Sequence, residues 1–403
     1  MSWPTEAGCM EALSDNTLVM ILCGGKGERL YPLTRDRAKP SVPFLGSYRI
    51  IDFSLSNCLN SGLRKIALLT QYKSLSLERH ILYGWNIFHA ESGGYVISLP
   101  AQGRVADHWY EGTADAVFQN IYTIQQENPS AILVLSGDHI YQADYRKILE
   151  FSIVKKAEAV ILAKTVPRLE AGRFGVMDID RDHRIVDFLE KPDDPPYLPW
   201  DKQSSLISMG VYLFRTSSLI QALIQDAKNP QSSHDFGRDV IPRLIRKARV
   251  YAYLYDGYWE DIGTIDAYWK ANMAFLSAAS PCSLDDSAWP IRTYKTRYGP
   301  SHIQHADIRS SIIGPGCRIR GGSIRNSILS PGVEIAPGVR IDGAILLEGA
   351  RVGRGASLRR VIVDKFSRIP DHFEIGSSLR KDGANFLISE GGIRVVPKGW
   401  RDE

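Results

Sequence analysis

Residues 18 to 23, Leu-Val-Met-Ile-Leu-Cys, form an apolar run that gives way to glycines, the pattern of a buried strand entering a loop. The same form recurs at Lys65 to Thr70, at Ala131 to Leu135 ahead of Ser136-Gly137-Asp138, at Ala159 to Ala163 and at Gly210 to Phe214. Between these runs lie amphipathic stretches of helical length, such as Ala114 to Glu127 and Tyr141 to Val154. Strands alternating with helices predict an α/β domain whose mostly parallel sheet is covered on both faces. Ligands of such sheets gather beyond the carboxyl ends of the strands, where Gly24-Gly25 and Asp138 fall.

From about Ile308 to Ile369 the pattern changes to aliphatic residues six apart: Ile313 and Ile319, Val333 and Val339, Ile335 and Ile341, Leu346, Val352 and Leu358, Val363 and Ile369. Gly314-Pro315-Gly316, Pro331-Gly332, Pro337-Gly338 and Gly353-Arg354-Gly355 punctuate them. A six-residue period with an inward aliphatic predicts a parallel β-helix of hexapeptide repeats. The alternative is an antiparallel sandwich, whose turns usually recur every 8–12 residues or so. Residues 276–300, with Pro281, Pro290 and Pro300, read as a linker. The expected organisation is an N-terminal extension (1–16), an α/β domain (17–275), the linker, and the β-helix (301–403).

Composition narrows the function classes. Of 403 residues, 44% are hydrophobic and 23% charged, which excludes wholesale disorder. Lys+Arg at 49 against Asp+Glu at 45 leaves +4, too slight to announce nucleic acid or a membrane surface as partner. By region, residues 1–300 carry 33 against 34 and residues 301–403 carry 16 against 11, so the excess belongs to the repeats. The five cysteines are scattered without a C-x-x-C pair, which argues against a disulfide framework or thiolate zinc site. No apolar run approaches the roughly 20 residues of a membrane span, and Met1 to Asn16 lacks the pattern of a secretory signal. A soluble, cytoplasmic protein is expected.

Leu22-Cys23-Gly24-Gly25-Lys26-Gly27-Glu28-Arg29-Leu30 sets three glycines directly after a strand. Glycine lets backbone N–H groups approach a phosphate, and Arg29 adds a forked charge contact. The run matches neither G-x-x-x-x-G-K-[ST] nor G-x-G-x-x-G, and a plain tight turn is the other reading. Lys39, in Arg37-Ala38-Lys39-Pro40, precedes a proline in an extended segment that can reach back to the loop; alone it reads as a solvated charge. Asp138 ends a buried run, where it either holds Mg²⁺ or caps the next helix. Asp261, in Trp259-Glu260-Asp261-Ile262-Gly263-Thr264, carries the same two readings. Glu190-Lys191-Pro192 places another cation before a proline, and Tyr110 to Ala116 reads as a glycine turn entering a helix. His139, His183 and His234 read as ordinary polar or capping residues, with no H-E-x-x-H spacing, and no G-x-S-x-G elbow occurs. Amides, cations and a carboxylate together point to phosphoryl or nucleotidyl transfer, where catalysis is positioning plus charge stabilisation.

In this combination the sequence resembles the bacterial ADP-glucose pyrophosphorylases (glucose-1-phosphate adenylyltransferases) of the sugar-1-phosphate nucleotidyltransferase family, from about Leu18 to Ile375. The resemblance rests on the glycine loop, Arg37-Ala38-Lys39-Pro40, Arg49-Ile50-Ile51-Asp52-Phe53, Gly137-Asp138-His139-Ile140-Tyr141, Phe174-Gly175-Val176-Met177, Glu190-Lys191-Pro192 and Ser208-Met209-Gly210. Trp109-Tyr110-Glu111-Gly112-Thr113-Ala114-Asp115-Ala116 and Ser233-His234-Asp235-Phe236-Gly237 mark the adenylyltransferase branch. It implies a Rossmann-like catalytic domain and a left-handed β-helix with regulatory and oligomerisation roles. The implied reaction is ATP + α-D-glucose 1-phosphate giving ADP-glucose and diphosphate, for glycogen synthesis. By motif, Gly24, Gly25, Gly27, Arg29, Lys39, Gln102 and Gly112 would bind ATP, with Arg29, Lys39 and Asp138 catalytic. Tyr110, Gly175, Glu190, Lys191 and Ser208 would hold glucose 1-phosphate, and Asp138 and Asp261 would hold Mg²⁺. The resemblance also implies a homotetramer answering to anionic metabolite effectors, with Arg37, Arg49, Arg359 and Arg360 as candidate contacts.

Three positions depart from the family pattern. Glu28 stands where a small Thr or Ser is usual and is expected to point away from the triphosphate. Gly103 replaces a frequent second glutamine. Asp36 replaces the lysine of members activated by fructose 1,6-bisphosphate, an anion that it would repel. Competing readings are a dTDP- or UDP-sugar enzyme, a silent regulatory subunit, and an acyltransferase; against the last, no histidine falls inside the repeats, since His302 and His305 precede them and His372 follows.

Overall fold

The computed structural model describes residues 13–402 except 89, 90, 92, 102–108 and 278. Strand β1 (Thr17–Cys23) is buried almost throughout because it lies inside a nine-stranded sheet. It pairs in parallel with β4 (Lys65–Thr70) and β6 (Ala131–Ser136), and β5 (Tyr95–Pro100) adds in parallel to β4. This is the parallel half; β1, β4 and β6 read as continuous apolar runs because both faces are covered, whereas the edge strand β5 is partly exposed. The twelve-residue β11 (Ser204–Arg215) pairs antiparallel with β6 and turns the sheet. Beyond it lie β8 (Ala159–Pro167), β9 (Gly175–Ile179), β10 (Ile185–Glu190) and β12 (Val250–Leu254), joined by antiparallel ladders and one parallel pair, β8 with β12. Two small pairs stand outside: β2 (Pro43–Phe44) with β3 (Tyr48–Arg49), and β7 (His139–Tyr141) with β13 (Trp259–Asp261).

Helix α1 (Ile50–Asn60) packs beside β7. The stretch Ala114 to Glu127 forms two helices, α2 (Thr113–Phe118) and α3 (Ile121–Glu127). Asn120 Nδ2 donates back to the Ala116 carbonyl at 2.8 Å and to Tyr110 Oη at 3.0 Å, a local competition that asparagine offers to a continuing helix. The stretch Tyr141 to Val154 is helical only from Tyr145, as α4 (Tyr145–Val154), because Asp144 caps it and Tyr141 belongs to β7.

The repeats coil into three parallel sheets. Ile319, Ile335, Val352 and Ile369 stack on one face, Ile324, Ile341, Leu358 and Ile375 on the second, and Leu329, Leu346 and Val363 on the third. Residues five or six apart therefore occupy adjacent faces, and three faces close a coil. Residues 276–300, which contain no helix or strand among the described residues, are bound to α1: Trp289 Nε1 donates to Asn57 at 3.1 Å, Arg292 N to Ser56 at 2.9 Å and Thr293 Oγ1 to Asp52 at 2.6 Å. One apolar cluster joins Phe44, Phe53 and Tyr268 of the α/β part to Ile328, Ile345 and Ile362 of the β-helix. Among the described residues no helix is long and apolar enough to cross a membrane.

Candidate active site

The glycine loop follows the carboxyl end of β1 and borders a cavity of about 430 Å³ with Arg29, Lys39, Asp138 and Gly263. Nothing stands within 4 Å of a Cβ built on Gly25, so a ligand can approach this backbone closely. Glu28 also borders this cavity, its side chain 80% exposed and 4.0 Å from Lys26. A second cavity of about 250 Å³ adjoins the first and shares Leu22, Arg29 and Gly263 with it; Glu190, Lys191, Ser208 and Asp235 line its far side.

At the junction two carboxylates meet across a register that sequence separation hides. In the β7–β13 pair His139 lies opposite Asp261, which brings Asp261 to Asp138. Lys39 Nζ bridges them, 2.6 Å from Asp138 Oδ2 and 3.3 Å from Asp261 Oδ1. Burial alone would lower the Lys39 pKa, but Asp138 and Asp261 outweigh it and hold the ammonium above the ordinary lysine value. Burial alone would likewise raise Asp138, yet Lys39 and His139, with hydrogen bonds from Lys39 and Ser136, hold it well below the usual carboxylate range. Neither aspartate caps a helix: Asp138 precedes β7 and Asp261 ends β13.

His139 stands beside the two aspartates. Its Nε2 lies 3.4 Å from Asp138 and 3.8 Å from Asp261, and one ligand atom from each of the three residues falls within 4.8 Å of the others. Its Nδ1 is buried without a hydrogen-bond partner among the described residues, and its ring meets Trp259 edge-on at 5.2 Å. The two carboxylates supply oxygen ligands of the kind a hard divalent cation takes, whereas the imidazole is a donor suited to softer metals. The only signal in sequence was adjacency to Asp138; the contact with Asp261 depends on strand pairing.

On the second cavity's far side, Gly175 lies opposite Glu190 in the β9–β10 pair. A Cβ at Gly175 would come within 2.4 Å of Phe188 and 2.9 Å of Glu190 Oε2, so only glycine leaves Glu190 its place. Glu190 Oε1 is 3.1 Å from Lys191 Nζ. Ser208 Oγ donates to Tyr212 Oη at 3.3 Å, beside a register shift in β11. Tyr212, Asp235, Phe236 and Trp259 also line this cavity; the sequence reading gave them no individual roles.

Several expected contacts fall elsewhere. Tyr110 stands apart from Glu190: its ring is near Gly24, and its hydroxyl donates to the Leu99 carbonyl at 3.2 Å. Gly112 precedes α2 against the loop at His234. Gln102 and Gly103 lie outside the described residues. Arg37 is not an open anion contact, because its Nη2 donates to both Asp364 oxygens, at 2.9 and 3.0 Å, with both side chains buried. Arg49 donates to Ser76 and borders a cavity of about 200 Å³ with Glu348 and Lys365. Lys365, unsuspected from sequence, pairs with Glu348 at 2.7 Å. Arg359 is exposed, whereas Arg360 donates to the Gly391 carbonyl and stacks over Trp269 at 4.9 Å.

Comparison with known proteins gives independent findings. The family model described as nucleotidyl transferase matches residues 18–278, and one described as GlmU-like C-terminal hexapeptide matches residues 298–396. The chain is 47% identical over 401 residues to glucose-1-phosphate adenylyltransferase 2 of Vibrio cholerae, covering 96% of this chain and 98% of that protein. It is 44% identical to glucose-1-phosphate adenylyltransferase of Methylobacillus flagellatus, over 96% of this chain and 94% of that protein. The corresponding protein of Rhodopirellula baltica is 41% identical, over 98% and 93%.

Proposed function

The chain belongs to the nucleotidyl transferase family and, within it, to the glucose-1-phosphate adenylyltransferases, and from this premise we propose that it joins ATP and α-D-glucose 1-phosphate into ADP-glucose with release of diphosphate. The observation that carries the reading is Lys39, bridging Asp138 and Asp261 where the two cavities meet. Gly25, Gly27 and Arg29 line the first cavity, and the backbone amides of Gly24, Gly25 and Gly27 with the Arg29 guanidinium would bind the ATP phosphates. Lys39 then offsets the charge that develops as diphosphate departs. Lys191 neutralises the sugar phosphate, and Glu190 accepts from a sugar hydroxyl. Asp138 and Asp261 would hold Mg²⁺, which supplies charge neutralisation between the phosphates when bound.

This reading extends to glycogen synthesis as the fate of the product, to a homotetramer, and to a cytoplasmic setting, in keeping with the free thiols of Cys23, Cys58, Cys282 and Cys317. For anionic effectors, Arg49 borders a cavity at the domain junction, where the Lys365 ammonium is paired with Glu348. The test is diphosphate release from the purified protein with Mg²⁺, ATP and glucose 1-phosphate. We expect turnover with ATP to exceed that with UTP, dTTP or GTP, and Asp138→Ala to lose at least about 100-fold, the scale of a removed charge-positioning group. Equal rates in Asp138→Ala and the parent would reject the assignment.

A further inference from the structure

The loop at Ser232 to Gly237 lines the second cavity through Asp235, Phe236 and Gly237 and meets two elements of its wall. On one side it meets the start of α2: the His234 carbonyl accepts from Ala114 N at 2.8 Å and Asp115 N at 3.3 Å. The approach is tight enough that a Cβ on Gly112 would fall 2.2 Å from that carbonyl oxygen. Thr113 Oγ1 donates to Asp235 Oδ2 at 3.0 Å and accepts from Phe236 N at 2.9 Å. On the other side, a Cβ on Gly237 would fall 2.5 Å from Glu190 Oε2, and Phe236 packs on Tyr212 at 5.7 Å. The loop therefore touches both the helix that follows Gly112 and the carboxylate beside Lys191.

What holds this loop is remote from both cavities' reacting ends. His234 has φ +55°, a left-handed conformation uncommon for residues other than glycine, which histidine and asparagine adopt more readily than alanine. Its Nδ1 is 2.8 Å from Asp226 Oδ2, and its backbone N donates to Ser232 Oγ at 3.0 Å. Asp226, at the end of helix α5 (Thr216–Ala227), is 3% exposed and also accepts from Ser232 Oγ at 2.7 Å and Arg243 Nη1 at 3.2 Å. A buried carboxylate with three partners is a fixed point. We propose that His234, clasped by Asp226, is a positioning residue that sets the α2 start and the Glu190 side of the site in one geometry. The proposal rests on the reading of these cavities as the ATP and glucose 1-phosphate sites.

The clasp predicts different outcomes for two substitutions at one position. His234→Ala removes the donor to Asp226 and disfavours the left-handed backbone. His234→Asn keeps a donor near the Nδ1 position and tolerates that backbone. In steady-state kinetics His234→Ala is expected to raise KM for glucose 1-phosphate about tenfold and lower kcat by a similar factor, with His234→Asn within about threefold of the parent. Amide hydrogen exchange over residues 112–118 should speed up in His234→Ala and stay near the parent rate in His234→Asn. Wild-type kinetic constants and exchange in His234→Ala, or equal defects in both variants, would overturn the clasp. A parent protein inactive on ATP and glucose 1-phosphate would instead reject the substrate reading, and the exchange comparison would still decide whether the clasp holds α2.

Discussion

Lys39 is enclosed with two carboxylates and is their main compensating charge, its side chain 11% exposed against 26% and 24% for Asp138 and Asp261. Asp138 is held low, so its contribution to stability is present above the unfolded value of about 3.9 and is lost as pH falls through the depressed folded value. Lys39 is held high, so its contribution is present below about 10.4 and is lost as pH rises through the folded value. Across neutral pH both are intact. Lys39→Met should therefore cost roughly 2–4 kcal/mol at pH 7, and the cost should shrink toward pH 4 as the released carboxylates take up protons. Urea unfolding at the two pH values checks this, and an unchanged penalty would contradict it. At the sugar side, Lys191→Gln should raise KM for glucose 1-phosphate by about tenfold or more with little change for ATP, measured by varying each substrate in turn. Lys39 and Asp138 were legible as candidates because charge beside a buried strand end or a proline is chemically conspicuous. His139 was not, since its meaning depends on Asp261 lying opposite it.

At the level of elements, the apolar runs located the strands well: Lys65–Thr70 is β4, and Ala131 to Leu135 lies within β6. Those strands are buried on both faces, so their pattern survives any choice of neighbour. Helices were less legible, because Asn120 and Tyr141 take partners that periodicity does not report. Strand pairing also makes a specific demand on Gly175. Gly175→Ala forces a methyl toward Phe188 and Glu190 and should cost about 1–3 kcal/mol through overpacking. Its thermal midpoint should fall and its KM for glucose 1-phosphate should rise together; a variant with both values unchanged would show that the strand pair can yield there.

For the whole molecule, the α/β part and the β-helix are joined by a common apolar cluster and by the buried Arg37–Asp364 pair. Removing one member strands a charge: Arg37→Met should cost about 3–5 kcal/mol, whereas Arg37→Met with Asp364→Leu should recover most of it. Denaturant unfolding of the single and double variants checks this, and equal losses in both would refute a charge-based cause. The sequence by itself determined the two architectures and located the glycine loop and the charged candidates around it, because burial periodicity and local motif chemistry are written over short spans. Only the tertiary structure decided that Asp138, His139 and Asp261 converge, that the His234 carbonyl meets the start of α2, and that Arg37 pairs with Asp364. Each of those depends on register or contact between distant segments, where a side chain's meaning is set by the partner that folding places beside it.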